Sequence, residues 1–484
     1  MTTDEEGLAQ ARAWLTAQAD RVIETHIGQV FLVGPHAFKL KKAVDFGYLD
    51  FSSRAKRAWA VDRELALNRR TAPDIYQTAV WITREAEGLA FDGLGERLER
   101  ALQMRRFDAD AVLSNTPDRV QGDFAESLGR QVARFHAEAQ KVQGAGDSLG
   151  YVVRSNADHL RALAADLGER DVSAVIGATQ AVFDRLAPLL GARAAQGQVR
   201  ACHGDLHLGN ILAEHGGAVL FDCIEFNDRL SQIDVLYDLA FLLMDLVHRD
   251  QDAGANRVLN GYLDEAARTF GPAALEGLAA LPLFMSVRAS VRCHVSAHMG
   301  DIAAARAYLA SARGHLRARP VSLSAVGGLS GSGKSTWARR VAPTLGAPPG
   351  AVVLRSDEIR KRLWGRAPAE RLPAEAYGPG SSERVYGRML DEAKIALGAG
   401  CAVVLDAVFL RPQERAAAET LARACGAAFE GVWLEAPAPV MAARIQARTG
   451  DASDADRRVL EEQLARDPGA ITWRKVASDA LDKV

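Results

Sequence analysis

Cysteine is scarce in this chain of 484 residues: five in all, at 202, 223, 293, 401 and 425. They are odd in number, widely spaced and form no C-x-x-C pair, which excludes a disulfide framework and a structural zinc site, so reduced thiols are expected. There is no surplus of charge of either sign, with 59 basic and 61 acidic residues. No global field therefore draws the chain to DNA or to an anionic membrane, and nucleic acid is not the expected partner. A long hydrophobic run is also missing. The longest apolar stretch, around 236–247, is interrupted by Asp238 and Asp245 and falls short of the ~20 residues a bilayer core demands, so no transmembrane segment is expected. The first thirty residues hold Asp4, Glu5, Glu6, Asp20 and Glu24 in place of a positive start and an apolar block, which points to a cytoplasmic protein. Repeats and low-complexity tracts are absent as well. Lysine is rare, only ten of the 59 basic residues, and four of the ten stand at 39, 41, 42 and 334.

What is present is ordinary globular material, 48% hydrophobic and 25% charged, long enough for two or three domains of ~150 residues. Apolar spacing predicts a helix over 8–23, a hairpin within 30–41 turning at Gly34-Pro35, a helix over 55–70 and strands at 76–83 and 102–107. Helical spacing dominates from 123 to 195. A boundary falls near 319, where a helical region ends at Pro320 and a strand begins. Beyond it, strands at 321–326, 351–355, 401–406 and 429–434 alternate with helices, which implies a parallel sheet. The expected division is a β-rich lobe over 1–108, an α-rich lobe over 109–318 and an α/β domain over 319–484.

Gly328-Leu-Ser-Gly-Ser-Gly333-Lys334-Ser335 matches G-x-x-x-x-G-K-[ST] at every fixed position, directly after a strand and before a helix. Glycines at 328, 331 and 333 let consecutive amides converge on phosphate oxygens, the helix adds its positive N-terminal end, and Lys334 adds a point charge. Gly328, Ser330, Gly331, Ser332, Gly333, Lys334, Ser335 and Thr336 are the expected nucleotide-binding set, with Ser335 a ligand for Mg²⁺. ATP, or GTP, is the expected cofactor. Past the second strand, Arg355-Ser-Asp357-Glu358-Ile-Arg360 supplies Asp357 as candidate base, or else as a helix N-cap, and Arg360 as a cation for the transferring phosphoryl group. Asp406 ends the third strand, either near the metal or as a turn residue. Arg444 and Arg448, four apart, fit a lid over the phosphates or two exposed helix charges.

A second constellation lies upstream. In Cys202-His203-Gly-Asp205-Leu-His-Leu-Gly-Asn210, Asp205 and Asn210 reproduce D-x-x-x-x-N, and Asp222 follows on a short strand. Phosphoryl transfer asks for a carboxylate that accepts the hydroxyl proton, oxygens that hold Mg²⁺ and a cation against the phosphates. Asp205 fits the first role, and Asn210 with Asp222 the second. Lys39, in Ala37-Phe38-Lys39, fits the third, with Lys41 on the same strand face as the alternative. Glu64 is the expected partner of that lysine, or a solvated helix charge. Asp234 and Asp238 fit either a cationic acceptor or bonds to the catalytic loop.

With H-G-D-x-x-x-x-N at 203–210 and F-D-x-x-E at 221–225, residues 20–310 resemble the aminoglycoside phosphotransferase and choline kinase family. The C-terminal part resembles the small P-loop kinases of gluconate kinase, zeta-toxin and polynucleotide kinase type, through its phosphate loop, S-D-x-x-R and L-D-A. Glu24-Thr-His-Ile, Ala37-Phe-Lys-Leu-Lys-Lys and Met104-Arg-Arg-Phe also resemble a bacterial branch in which the first domain precedes the second. The resemblance implies an α+β bilobal protein-kinase-like domain followed by an α/β P-loop domain. It also implies a hinge at 102–107, including Met104, that binds the nucleotide base through backbone groups. The implied activity is a bifunctional phosphotransferase acting on hydroxyls of small molecules, sugar-like or aminoglycoside-like. Alternatives are one active domain with the other a nucleotide sensor, or a polynucleotide or protein kinase. The glycine-rich G-x-G-x-x-G of protein kinases is missing, with only Gly28 and Gly34 available. Acceptor identity and oligomeric state are not encoded in these motifs.

Overall fold

The computed structural model of the chain describes residues 3–47, 49–142, 147–447 and 452–478. They fall into two compact units. The first comprises Met1–Arg119, Ala139–Val152 and Ala194–Leu242, and the second Val120–Glu138, Val153–Arg193 and Leu243–Val484.

The first unit is built on six antiparallel strands: β1 (Arg21–Glu24), β2 (Gly28–Val33), β3 (His36–Lys41), β4 (Tyr76–Glu85), β5 (Gly88–Phe91) and β6 (Glu96–Arg105). They lie side by side in the order β1-β2-β3-β6-β4-β5. The hairpin at Gly34-Pro35 forms, with Gly34 at φ +53. The expected helix over 8–23 instead ends at Thr16, because Val22 and Ile23 pair with Phe31 and Val30 as strand β1. β-branched residues gain more from a cross-strand partner than from one further helical turn. The strand expected at 102–107 begins earlier, at Glu96, where alternating charges hide the apolar face of Leu98. The helix Arg54–Asn68 starts at Ser53, whose hydroxyl accepts from the Lys56 amide at 3.4 Å.

Two small ladders complete this unit. β7 (Val199–Ala201) pairs with a strand reached later in the chain, and β8 (Ile211–Glu214) pairs with β9 (Gly217–Leu220). The late partner of β7 is β10 (Gln232–Asp234). The segment 202–210 thus spans the gap between β7 and β8, and Asp222 stands just beyond the end of β9, with only Phe221 between.

In the second unit, the helices Gly122–Glu138 and Asp252–Phe270 approach closely. A Cβ at Gly129 would lie 2.1 Å from the Val258 carbonyl oxygen, and one at Gly261 2.3 Å from that of Glu126, so only glycine permits the crossing. Ala273–His298 is long and apolar enough, by composition, to cross a membrane, which a scan centred on 236–247 overlooks. Its most apolar window is 78% buried inside the protein, as in a core helix.

The α/β part of this unit has five parallel strands rather than the four expected: β11 (Ser322–Gly327), β12 (Val352–Arg355), β13 (Val403–Asp406), β14 (Ala428–Glu435) and β15 (Arg474–Ala477). Their order is β12-β13-β11-β14-β15. The short, charged β15 carries no apolar run to betray it. β12 is an edge, and the helix Asp252–Phe270 covers it. Asn256 Nδ2 and Asn260 Nδ2 donate to the Ala351 carbonyl at 3.0 and 3.2 Å, and the Val353 amide donates to Asn260 Oδ1 at 2.7 Å.

Candidate active sites

In the first unit, alternation along β3 puts Lys39 and Lys41 on one face. Lys39 Nζ donates to Glu64 Oε1 at 2.7 Å and to Asp222 Oδ1 at 2.8 Å. Lys41 pairs with the other oxygen of Glu64 and with Glu225. Glu64 is fully buried, so it is not a solvated helix charge. Burial alone would lower the Lys39 ammonium, but Asp222 and Glu64 hold it well above its ordinary value. Burial would likewise raise Glu64, and the two lysines bring it down to about 2. Glu225 goes the other way: burial raises it, with Lys41 opposing. Lys39, Lys41 and Glu64 thus form a buried cluster in which opposite charge offsets desolvation.

The loop 203–210 is fixed by its backbone. Asp238 accepts the amides of His203 and Gly204, both at 2.9 Å, so it supports the loop 203–210. Asp234 accepts the Leu236 amide at 2.8 Å. Asn210 Nδ2 donates to both the carbonyl and Oδ2 of Asp205 at 2.9 Å, which commits the amide nitrogen, so that only the side-chain oxygen could serve a metal. The Phe221 amide donates to the Asn210 carbonyl at 3.0 Å and the Ile224 amide to that of His203 at 3.0 Å, joining this loop to the Asp222 segment. Asp222 has φ +63, with its amide on the Tyr76 hydroxyl at 3.0 Å, a strained backbone of the kind that gathers at functional sites. Met104 is buried in an apolar cluster with Ala37, Tyr76 and Leu212, edged by Phe107 and Phe221. Cys202 and Cys223 are buried, and none of the five cysteines is in a disulfide.

In the second unit, the phosphate loop joins β11 to the helix Lys334–Val341. A Cβ at Gly331, φ +81, would sit 2.6 Å from the Met441 carbonyl oxygen, and one at Gly328, φ +139, 2.6 Å from that of Leu434. Ser332 Oγ is buried without a hydrogen-bond partner among the described residues. Lys334 Nζ donates to the Leu329 carbonyl at 3.0 Å, and the Ser330 amide donates to Gln463 Oε1 at 2.8 Å. Ser330, Gly331, Gly333, Lys334, Ser335, Thr336, Asp357, Arg360, Asp406 and Arg444 all line one cavity of about 1170 Å³.

Asp357 is the second residue of the helix Ser356–Leu363, whose N-cap is Arg355, so it is not the N-cap. Burial raises its carboxyl, with Arg355 opposing and Asp406 reinforcing. Arg360 is buried, donates to the Ala376 carbonyl at 2.5 Å and stacks 5.0 Å over the Tyr377 ring. Asp406 is buried and accepts from Arg355 Nε at 3.3 Å. Arg444 donates to Ser478 Oγ at 2.8 Å. Arg448 lies outside the described residues.

Sequence reasoning had no role for Glu225 beyond its motif, and none for Arg355, Glu358 or Gln463. Only the F-D-x-x-E spacing signalled the first; nothing local signals the others. The donors suit Mg²⁺: a hydroxyl with a carboxylate at Ser335 and Asp406, and an amide oxygen with a carboxylate at Asn210 and Asp222.

Two family models match the chain: the phosphotransferase enzyme family over residues 50–278 and an AAA domain over 323–467. Uncharacterized proteins of Mycobacterium tuberculosis and Mycobacterium bovis are 32% identical over 473 residues, covering 94% of this chain and 91% of theirs. Among solved structures, choline kinase from Cryptosporidium parvum is 10% identical with TM-score 0.39, over 61% of this chain and 86% of that one. A gluconokinase from Sinorhizobium meliloti is 25% identical with TM-score 0.22, over 33% and 83%. The chain belongs to the family it shares with the mycobacterial proteins, phosphotransferase enzymes in which an aminoglycoside-phosphotransferase-type kinase domain is followed by a P-loop kinase domain.

Proposed function

We propose that the enzyme is bifunctional, each domain transferring the γ-phosphoryl group of ATP, or GTP, to a hydroxyl of a small sugar-like or aminoglycoside-like molecule. The observation that carries this is that each unit holds its own set of cation, oxygen ligands and carboxylate: Lys39, Asn210 with Asp222, and Asp205 in one; Lys334, Ser335 with Asp406, and Asp357 in the other. Bound Mg²⁺ supplies charge neutralisation across the phosphates.

The chain's residues do the rest. Lys39, steadied by Glu64, faces the phosphates, and the cluster around Ala37 and Met104 packs on the purine. Leu102 and Met104 are paired with both β3 and β4, and the Arg105 and Arg106 amides are held by Ile75 and Pro35, so the hinge expected at 102–107 narrows to the end of β6. Asp205, oriented by Asn210 and with His207 3.4 Å away, accepts the hydroxyl proton. In the other site Asp357 does so, its raised affinity for a proton suiting a base, while Arg360 steadies the transferring group.

A second reading makes the P-loop domain a sensor that binds nucleotide without turnover. The Ser330 amide is held by Gln463, a bond the nucleotide displaces under either reading. ADP release is to be measured across sugars, aminoglycosides, nucleosides and oligonucleotides for wild type, Asp205→Ala and Lys334→Ala. Loss of a different acceptor's turnover in each variant is the expected result. Loss of all turnover in Lys334→Ala supports the sensor, and turnover of oligonucleotides alone overturns the small-molecule acceptor.

A further inference from the structure

The two candidate metal-contacting groups of the P-loop site are bridged by a cation belonging to the chain. Arg355, at the end of β12 and 5% exposed, donates from Nη2 to Ser335 Oγ at 3.2 Å and from Nε to Asp406 Oδ2 at 3.3 Å. Its remaining nitrogen, Nη1, donates to Glu358 Oε1 at 3.1 Å. Glu358 is itself shared, since Arg130 Nη2 lies 3.4 Å from the same oxygen, and Arg130 also pairs with Asp264 and Glu126. The fork thus reaches at least three oxygens, and of these only that of Glu358 lies outside the candidate metal set.

A guanidinium and a divalent cation cannot both lie against one hydroxyl oxygen, because like charges at contact distance in a dry site repel strongly. Removing Arg355 altogether would also leave Asp406 and Glu358 buried with less counter-charge. We propose that Arg355 is a positioning residue: it holds Ser335 and Asp406 in place before the metal–nucleotide complex arrives, then gives up Ser335 and is retained by Glu358. This rests on the reading of Ser335 and Asp406 given above. It makes Arg355 a competitor of the metal and Glu358 its helper.

The test uses Mn²⁺ as probe, its free concentration followed by electron paramagnetic resonance, with a non-hydrolysable ATP analogue. The full-length chain carries Asp222→Ala so that uptake reports the P-loop site. In this background Arg355→Met tightens Mn²⁺ by at least about threefold, Glu358→Gln weakens it by about threefold, and Arg355→Lys, which keeps the charge, stays near the parent. Circular dichroism checks folding. Should Arg355→Met not fold, weakening by Glu358→Gln still decides. Weaker or unchanged Mn²⁺ binding in Arg355→Met, or unchanged binding in Glu358→Gln, overturns the proposal. Absence of nucleotide-dependent Mn²⁺ uptake in the parent, or its survival in Lys334→Ala, overturns instead the metal reading beneath it.

Discussion

Glu64 serves two lysines with one carboxylate, and Lys41 serves two carboxylates with one ammonium. Breaking a buried pair from one side leaves an uncompensated charge, which costs about 3–5 kcal/mol, whereas removing both partners costs less. Lys41→Met should therefore destabilise the fold by about that amount, and Lys41→Met with Glu225→Gln should recover part of it, as read from urea denaturation midpoints. The same cluster sets a pH dependence. Glu64 sits at about 2 in the folded chain, against ~4.3 when unfolded. Its stabilisation is thus complete above ~4.3 and lost as pH falls through the folded value. The stability gap between wild type and Glu64→Gln should shrink as the pH of denaturation is lowered from about 5 toward 3. A gap that stays constant would mean the carboxylate is not held by the lysines. Glu64 was legible from its helix and the nearby lysine motif. The second carboxylate on Lys41 was not, because Glu225 is remote in sequence.

At the scale of elements, loops and edges carry the argument. The phosphate loop holds its shape because Gly331 and Gly328 pass hard against the Met441 and Leu434 carbonyls. Gly331→Ala must move the loop, so nucleotide binding at the P-loop site should fall by at least about tenfold while the Asp205 site keeps its turnover. Fluorescent-nucleotide titration of the Asp222→Ala chain measures this. Strand β12 needs its edge satisfied by Asn260, whose loss in Asn260→Ala leaves the Val353 amide without its partner. A cost of about 1–3 kcal/mol is expected in chemical denaturation. The apolar strands of this sheet were readable as runs. β15 was not, since it is made of Arg, Lys, Val and Ala and is a strand only because β14 offers it a ladder. The helix expected over 8–23 stops at Thr16 for the same reason: β2 claims Val22 and Ile23.

Over the whole molecule, compactness does not follow the sequence boundary near 319. The second unit joins helices of the α-rich lobe to the α/β segment. Asn256 and Asn260 reach β12, Arg130 reaches Glu358, and Arg339 of the phosphate-loop helix pairs with Glu126 at 3.1 Å. A chain beginning at 319 would lose all of these and expose the β12 edge. Its thermal midpoint should lie below that of the same segment in the intact protein, by about 4 °C or more if the loss exceeds ~1 kcal/mol. Equal midpoints would show that these bonds contribute nothing net.

Motifs whose residues stand close in sequence could be read from the sequence alone, because a short stretch of backbone brings them together: Gly328 to Ser335 and Asp205 to Asn210. From them came the kinase class and the two-domain order. Only tertiary structure decided which charges meet across long separations: Lys41 with Glu225, Asp238 with the loop 203–210, and Arg355 between Ser335, Asp406 and Glu358. Those pairings follow from how helices and sheets pack, and an ion pair between distant residues leaves no periodicity in the chain to read.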